Sequence, residues 1–350
     1  MNAETLVYNS KSTKMEMRRC RIGWLLLTGM VATPGCKEDP AKAPKLFKKA
    51  CDGGEMLGCF DLANSYANGE GVPKDLTKAA KLFKQACDGG HMGGCYNLGI
   101  SYEEGEGVPK DLAEAAKLYK RACDRDLMAG CSNLGISYYK GEGVPKDVAK
   151  AAKLTKKACD GGVMETCLNL AIAYAGGQAM PKDVAKAAQL FRQTCDEGYM
   201  TGCAELGVLY DKGRGVPKDL AKTVTLFKQA CDGGDIKGCA YLGQRYKLGK
   251  GVPKDVAKAA KLYKQACDGG YMKSCLNRGV AYFNGKGVPK DLAKAAKLFK
   301  QACEGGHMSG CYNLAHLYAN GQGVQKDLAT AAKLFKQACD GGDKDACKQL

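Results

Sequence analysis

Nine pairs of cysteines set what this 350-residue chain can fold into. Cys51 pairs in spacing with Cys59, Cys87 with Cys95, Cys123 with Cys131, Cys159 with Cys167 and Cys195 with Cys203. Cys231 with Cys239, Cys267 with Cys275, Cys303 with Cys311 and Cys339 with Cys347 complete the series. Each pair is spaced C-x7-C, and each stands 36 residues after the last. The register never slips. A fixed period of this length marks an array of stacked units, each in contact with its neighbours, and not a single globular core. Chain length alone predicts two or three ordinary domains; the period overrides that prior.

One unit spans residues 91–126. HMGGCYNLGISYEE places Met92, Cys95, Leu98, Gly99 and Tyr102 at helical spacing. GEGVPKD follows. Gly105 and Gly107 permit left-handed backbone, Pro109 cannot continue a helix, and Asp111 is a good N-cap. LAEAAKLYKRAC then aligns Leu112, Ala115, Ala116, Tyr119 and Cys123 on one apolar stripe. In most units a glycine closes this second helix, as at Gly90 and Gly162, where a left-handed cap is favoured. Each unit predicts a first helix, a short loop, a second helix and a tight turn.

Internal comparison separates packing positions from variable ones. The N-cap recurs as Asp75, Asp111, Asp147, Asp183, Asp219, Asp255, Asp291 and Asp327. A tyrosine near the end of the first helix recurs as Tyr66, Tyr102, Tyr138, Tyr174, Tyr210, Tyr246, Tyr282 and Tyr318. A small residue recurs as Ala63, Gly99, Gly135, Ala171, Gly207, Gly243, Gly279 and Ala315, and predicts close approach between neighbouring helices. Departures mark units where local adjustment is expected: Asp124-Arg125-Asp126 in place of Asp-Gly-Gly, Thr155 in place of an aromatic, Ala179 in place of a loop glycine, and Thr223-Val224 in place of Ala-Ala.

The cysteine pairs admit three chemistries. Structural zinc prefers ligand pairs two to four residues apart, with four ligands at one point. Here the pairs stand a whole unit apart, and His91, His307 and His316 are the only histidines. Redox catalysts use C-x-x-C. Residues eight apart on one helix lie about 12 Å apart along its axis, too far for a disulfide. The tight turn reverses the chain and removes that obstacle, so disulfide braces between units are the favoured reading. A reduced cysteine serving as a small buried packing residue is the alternative.

The N-terminal segment bears on that choice. MRRCRIGWLLLTGMVATPGCKEDP, residues 17–40, has a basic start and an apolar run from Ile22 to Ala32. The run is too short to span a bilayer and fits a signal peptide. It resembles a bacterial lipoprotein signal, with Cys36 as the lipidated residue. Residues 1–36 are then a signal and 37–44 a short polar tether. Residues 45–350 form an all-α, α/α solenoid of tetratricopeptide-like helix-turn-helix repeats. Its eight full units are 55–90, 91–126, 127–162, 163–198, 199–234, 235–270, 271–306 and 307–342, with half units at the ends. Export to an oxidising compartment (periplasm, outer membrane or exterior) is the expected location.

The motif N-L-G-x-x-Y-x-x-G-x-G-V-P-K-D, followed by A-A-x-L-x-K-x-A-C, is fullest at Gly94–Cys123 and, with minor changes such as Ala315 and Gln325, at Gly310–Cys339. It resembles the Sel-one-like repeat family, relatives of tetratricopeptide repeats. With C-x7-C spacing it resembles the cysteine-rich branch typified by the helicobacter cysteine-rich proteins. The resemblance implies an α/α solenoid with a disulfide within each pair, exported and adapted to binding. It also implies a β-lactam-binding or β-lactamase-type activity as the alternative function, since family members carry that label.

No catalytic residue is assigned from the sequence. The one S-x-x-K, Ser137 to Lys140, stands where other units hold Ser65, Ser101, Ala173, Leu209 and Arg245, and S-D-N and K-T-G motifs are absent. Binding candidates lie on the first helices, which usually line the concave face of such solenoids. A recurring column gives Asn97, Asn133, Asn169, Asn277 and Asn313; positions that vary between units give Tyr96, Tyr241, Arg245, Tyr312 and His316. The asparagines suit a peptide backbone or carboxylate, with hydrogen bonding inside the array as the competing role. The formal charge is +16, much of it on second-helix lysines such as Lys78, Lys81 and Lys84, read as a solvated face. The expected function is an exported scaffold for a peptide, protein or cell-wall ligand. The chain is expected to be a monomer that needs no cofactor or metal, binds no nucleic acid, and meets membrane through the lipid anchor alone.

Overall fold

A computed structural model describes residues 42–177 and 180–350. The signal, Cys36, Ala179 and most of the tether lie outside them. The described residues contain eighteen helices and no strand. They are α1 (Lys42–Asp52), α2 (Met56–Asn68), α3 (Leu76–Asp88), α4 (Met92–Glu104), α5 (Leu112–Asp124), α6 (Met128–Lys140), α7 (Val148–Asp160), α8 (Met164–Gly176), α9 (Val184–Asp196), α10 (Met200–Lys212), α11 (Leu220–Asp232), α12 (Ile236–Leu248), α13 (Val256–Asp268), α14 (Met272–Asn284), α15 (Leu292–Glu304), α16 (Met308–Asn320), α17 (Leu328–Asp340) and α18 (Lys344–Cys347). From α2 to α17, even numbers are first helices and odd numbers second helices. The array is the all-α repeat fold that the period predicts. Its contacts divide it into two compact units, residues 1–169 and 170–350, here unit 1 and unit 2.

One boundary differs from expectation. The tether was expected to run through residue 44, yet α1 already begins at Lys42. Pro44 sits in the first turn, where its missing N–H costs no intrahelical bond.

The second helices form as their apolar stripe requires. In α5, Ala115, Ala116, Leu118, Tyr119, Ala122 and Cys123 are buried, while Lys117 and Lys120 face out. Leu112, expected on the buried stripe, is only half-buried, because the first turn lies beside the open loop. Lys78, Lys81 and Lys84 are exposed. Each N-cap aspartate accepts a backbone N–H from the first turn of its helix, as Asp75 does from Lys78 and Asp291 from Lys294.

The small-residue column has a specific neighbour. A Cβ on Gly99 would collide with the Tyr119 ring, one on Gly207 with Phe227, and one on Gly279 with Phe299. The first helix therefore leaves room for the aromatic of its own second helix. In the unit where Thr155 replaces that aromatic, Gly135 faces the Thr155 hydroxyl instead.

The tight turn brings the cysteines together. After α3, Gly90 takes φ 92°, and the His91 N–H returns to the Ala86 carbonyl at 2.8 Å. Asp126 fills the same role at φ 59°, the one non-glycine among the described residues in that region. A small residue just before the second cysteine completes the approach: a Cβ on Gly94 would strike Ala86 and the Cys87 backbone.

All nine pairs are joined as disulfides. Cys51 is bonded to Cys59, Cys87 to Cys95, Cys123 to Cys131, Cys159 to Cys167 and Cys195 to Cys203. Cys231 is bonded to Cys239, Cys267 to Cys275, Cys303 to Cys311 and Cys339 to Cys347. The Cα–Cα distances are 4.4–4.7 Å. Each bridge links the end of one second helix to the start of the next first helix. The second cysteines Cys59, Cys95, Cys131, Cys167, Cys203, Cys239, Cys275 and Cys311 are buried, because the following helix pair closes over them. Cys347 is exposed, since no further repeat follows it among the described residues. The cysteines are thus structural braces, not ligand contacts, and the alternative of a reduced packing residue does not describe them.

Side chains add further ties between repeats. Arg121 donates to the Cys87 carbonyl at 2.9 Å, and Lys157 to that of Cys123 at 3.1 Å.

Candidate binding face

In unit 1 the first helices α2, α4 and α6 bring Asp61, Asn97 and Asn133 to equivalent positions. Asn97 is buried, and its amide donates to Asn64 Oδ1 at 3.2 Å. Asn133 lies near the hydroxyls of Tyr96 and Tyr119 and moderates the rise in pKa of both. Tyr96 is buried against the Tyr119 ring, 5.9 Å between centroids, and burial pushes its hydroxyl up to about 12. Tyr119 donates to Glu103 at 2.5 Å. Asn97 and Tyr96 are thus buried inside the array, and Asn133 is half-buried.

Beside them, Asp61 is held above the usual carboxylate range by burial, with His91 opposing the shift. The His91 ring lies 4.5 Å from Phe60, and its Nδ1 accepts from the Gly94 N–H. Asn169 is half-buried at the end of unit 1.

In unit 2 the same column reads Glu205, Tyr241, Asn277 and Asn313 on α10, α12, α14 and α16. Burial raises the Glu205 carboxyl, opposed first by Lys237. Tyr241 packs on Phe227 at 5.1 Å, and burial pushes its hydroxyl up to about 12. Asn277 and Asn313 are half-buried, and no described protein group bonds to either carboxamide. Tyr312, His316 and Phe335 form a ring cluster, with centroids 4.6 Å, 5.0 Å and 5.9 Å apart.

Arg245, a binding candidate from its variable position in the repeat, is buried. Its guanidinium pairs with Asp211 at 2.6 Å, the two side chains 9% and 23% exposed. Arg245 stands out in a column of small or apolar residues, whereas the Asp211 column has no common residue, so the sequence marks the arginine but not its partner. The hydrogen bond from Tyr119 to Glu103 carries no such signal.

The S-x-x-K match dissolves into the repeat. Ser137 donates to the Asn133 carbonyl at 3.2 Å, as Ser65 does to Asp61 and Ser101 to Asn97, while Lys140 pairs with Glu142 at 3.4 Å. No group of three or more metal-ligating side chains occurs among the described residues. No described helix is long and apolar enough to cross a membrane.

Stacked helix pairs with a first-helix face of polar and aromatic side chains define an α/α repeat scaffold, the class of fold used for protein interaction. The Sel1 repeat matches residues 19–55, 57–91, 93–127, 129–163, 165–199, 201–235, 236–271, 273–307 and 309–343, and the chain belongs to the Sel1 repeat family. Among solved structures, c5321, a protective antigen of uropathogenic Escherichia coli with an SLR fold, is 30% identical. The match covers 88% of this chain and 66% of that one, with a TM-score of 0.80. This chain therefore spans about two thirds of that relative's length. A Sel1 repeat protein from Oxalobacter formigenes is 25% identical over 93% of this chain and 97% of its own, with a TM-score of 0.71. Helicobacter pylori cysteine-rich protein B is 34% identical over 38% of this chain and 96% of its own, with a TM-score of 0.32. No curated protein matches the chain.

Proposed function

We propose that the chain is an exported interaction scaffold whose first-helix face in unit 2 holds an extended peptide or protein segment. The observation that carries this reading is the pair Asn277 and Asn313. They stand one repeat apart on α14 and α16, half-buried and without a protein partner. A carboxamide donates and accepts at once, which matches a peptide unit. The Tyr312–His316–Phe335 cluster beside Asn313 supplies an apolar surface for one side chain of the ligand.

Nine disulfides favour an oxidising compartment. The basic start and apolar run before Cys36 support export through residues 1–36, with lipid on Cys36 and the repeats carried on 45–350. That the Escherichia coli relative is a protective antigen fits display outside the cytosol.

The test is panning of a random peptide library on the oxidised chain. Selected peptides should bind roughly tenfold or more weakly to an Asn277→Ala/Asn313→Ala variant, the loss expected for two hydrogen bonds. Affinity that survives both substitutions, in a variant with an unchanged melting curve, would overturn the reading.

A further inference from the structure

The loops between first and second helices change sign between the two units. Their central position holds Glu70, Glu106 and Glu142 in unit 1, but Arg214, Lys250 and Lys286 in three successive loops of unit 2, flanked by the neutral Gln178 and Gln322. Lys212 and Lys247 flank these three cations, and Lys218, Lys254 and Lys290 add the loop lysine that unit 1 also carries as Lys74, Lys110 and Lys146. All eight cations are exposed, and none has an ion-pair partner among the described residues. The acids nearby are committed elsewhere. Asp211 pairs with Arg245, while Asp219, Asp255 and Asp291 cap their helices.

The three loops form one edge. Gly251 lies against the Leu220 carbonyl, and Gly287 against that of Val256, each on the first turn of the preceding second helix. Left-handed glycines fix the loop paths, at φ 78° and 80° for this pair. In the middle of the edge, Leu248 is 47% exposed between Lys247 and Lys250.

We propose that this loop edge of unit 2 docks on a bilayer surface that carries anionic lipid. Seven of the eight cations are lysines, flexible point charges that suit a diffuse anionic plane better than a bidentate acceptor. Leu248 enters the headgroup layer while the lysines around it meet phosphates. Nucleic acid fits less well, because the nearest tyrosines, Tyr246 and Tyr282, are covered by Lys258 and Lys294 and offer no open ring for a base. The contact is separate from any anchor at Cys36 and orients unit 2 on the membrane.

The test compares the full oxidised chain with two charge-matched triple variants. R214E/K250E/K286E installs the residue that unit 1 holds at the same loop position, so the repeat accommodates it. K261E/K297E/K333E makes the same charge change on exposed second-helix positions. Binding is read as the ratio between vesicles of about 30% phosphatidylglycerol in phosphatidylcholine and vesicles of phosphatidylcholine alone. The apolar run at Ile22–Ala32 acts equally in all three proteins. The edge variant should lose about a hundredfold of that ratio, given the attraction of each cation to an anionic surface. The helix-face variant should lose less than about tenfold, and Leu248→Ser roughly fivefold. Equal losses in the two triples, or none in the edge variant, would overturn the proposal. So would loss of polyglutamate binding with vesicle partitioning intact, which would assign the edge to an acidic protein.

Discussion

The asparagine column shows how one residue type takes two roles at equivalent positions. Asn97 is satisfied because Asn64 stands beside it; no described protein group bonds to the carboxamide of Asn277 or Asn313. The period made the column legible in the sequence. It did not reveal which members are satisfied, since that depends on side chains from the adjacent repeat. The Asp211–Arg245 pair offers a sharper test. Removing one partner of a buried pair leaves an uncompensated charge, so Asp211→Ala should cost about 3 kcal/mol in a denaturant titration. Replacing both residues with leucine should restore most of that loss. At Asp126 the left-handed backbone disfavours any side chain, and the ion pair with Lys157 is exposed. Asp126→Gly should therefore stabilise by about 0.5–1 kcal/mol, read as a raised thermal midpoint.

Helices, caps and turns were readable because each follows from a local rule: an apolar stripe, an aspartate before it, a glycine after it. The aromatic that each small residue accommodates was not, because spacing alone does not say which helix approaches. In an open helix, Gly207→Ala would gain about 1 kcal/mol from backbone entropy. Here the added methyl meets the Phe227 ring, and overpacking costs about 1–3 kcal/mol. The variant should be destabilised by about 1 kcal/mol. The caps also set the response to acid. Backbone and side-chain hydrogen bonds from their first turns hold Asp75, Asp147, Asp183, Asp219, Asp291 and Asp327 below the usual carboxylate range. A depressed folded-state value contributes stability above the unfolded value, near pH 4, and that contribution disappears as pH falls through the folded value. Thermal midpoints should thus hold through neutral pH and drop below about pH 4. Aspartate-to-asparagine changes at Asp183 and Asp291 should flatten that drop.

At the scale of the whole molecule, the disulfides link successive repeats, and the contacts divide the array into two compact units. The unbroken period made the array legible. The division between Asn169 and Leu170 was not, because it reflects contacts between helices and no break in the period. Each brace closes a nine-residue loop, which restricts the unfolded chain by about 2.5 kcal/mol. A variant with Cys231 and Cys239 both changed to alanine should lose about that much stability in denaturant. The central claim is that covalent links between neighbouring helix pairs hold this repeat array in its native form. Non-reducing peptide mapping of the purified protein, alkylated before digestion, tests it directly. The account predicts that all eighteen repeat cysteines escape alkylation and that each is recovered linked to its partner eight residues away. Eighteen alkylated thiols in a protein that keeps its helical spectrum would contradict it.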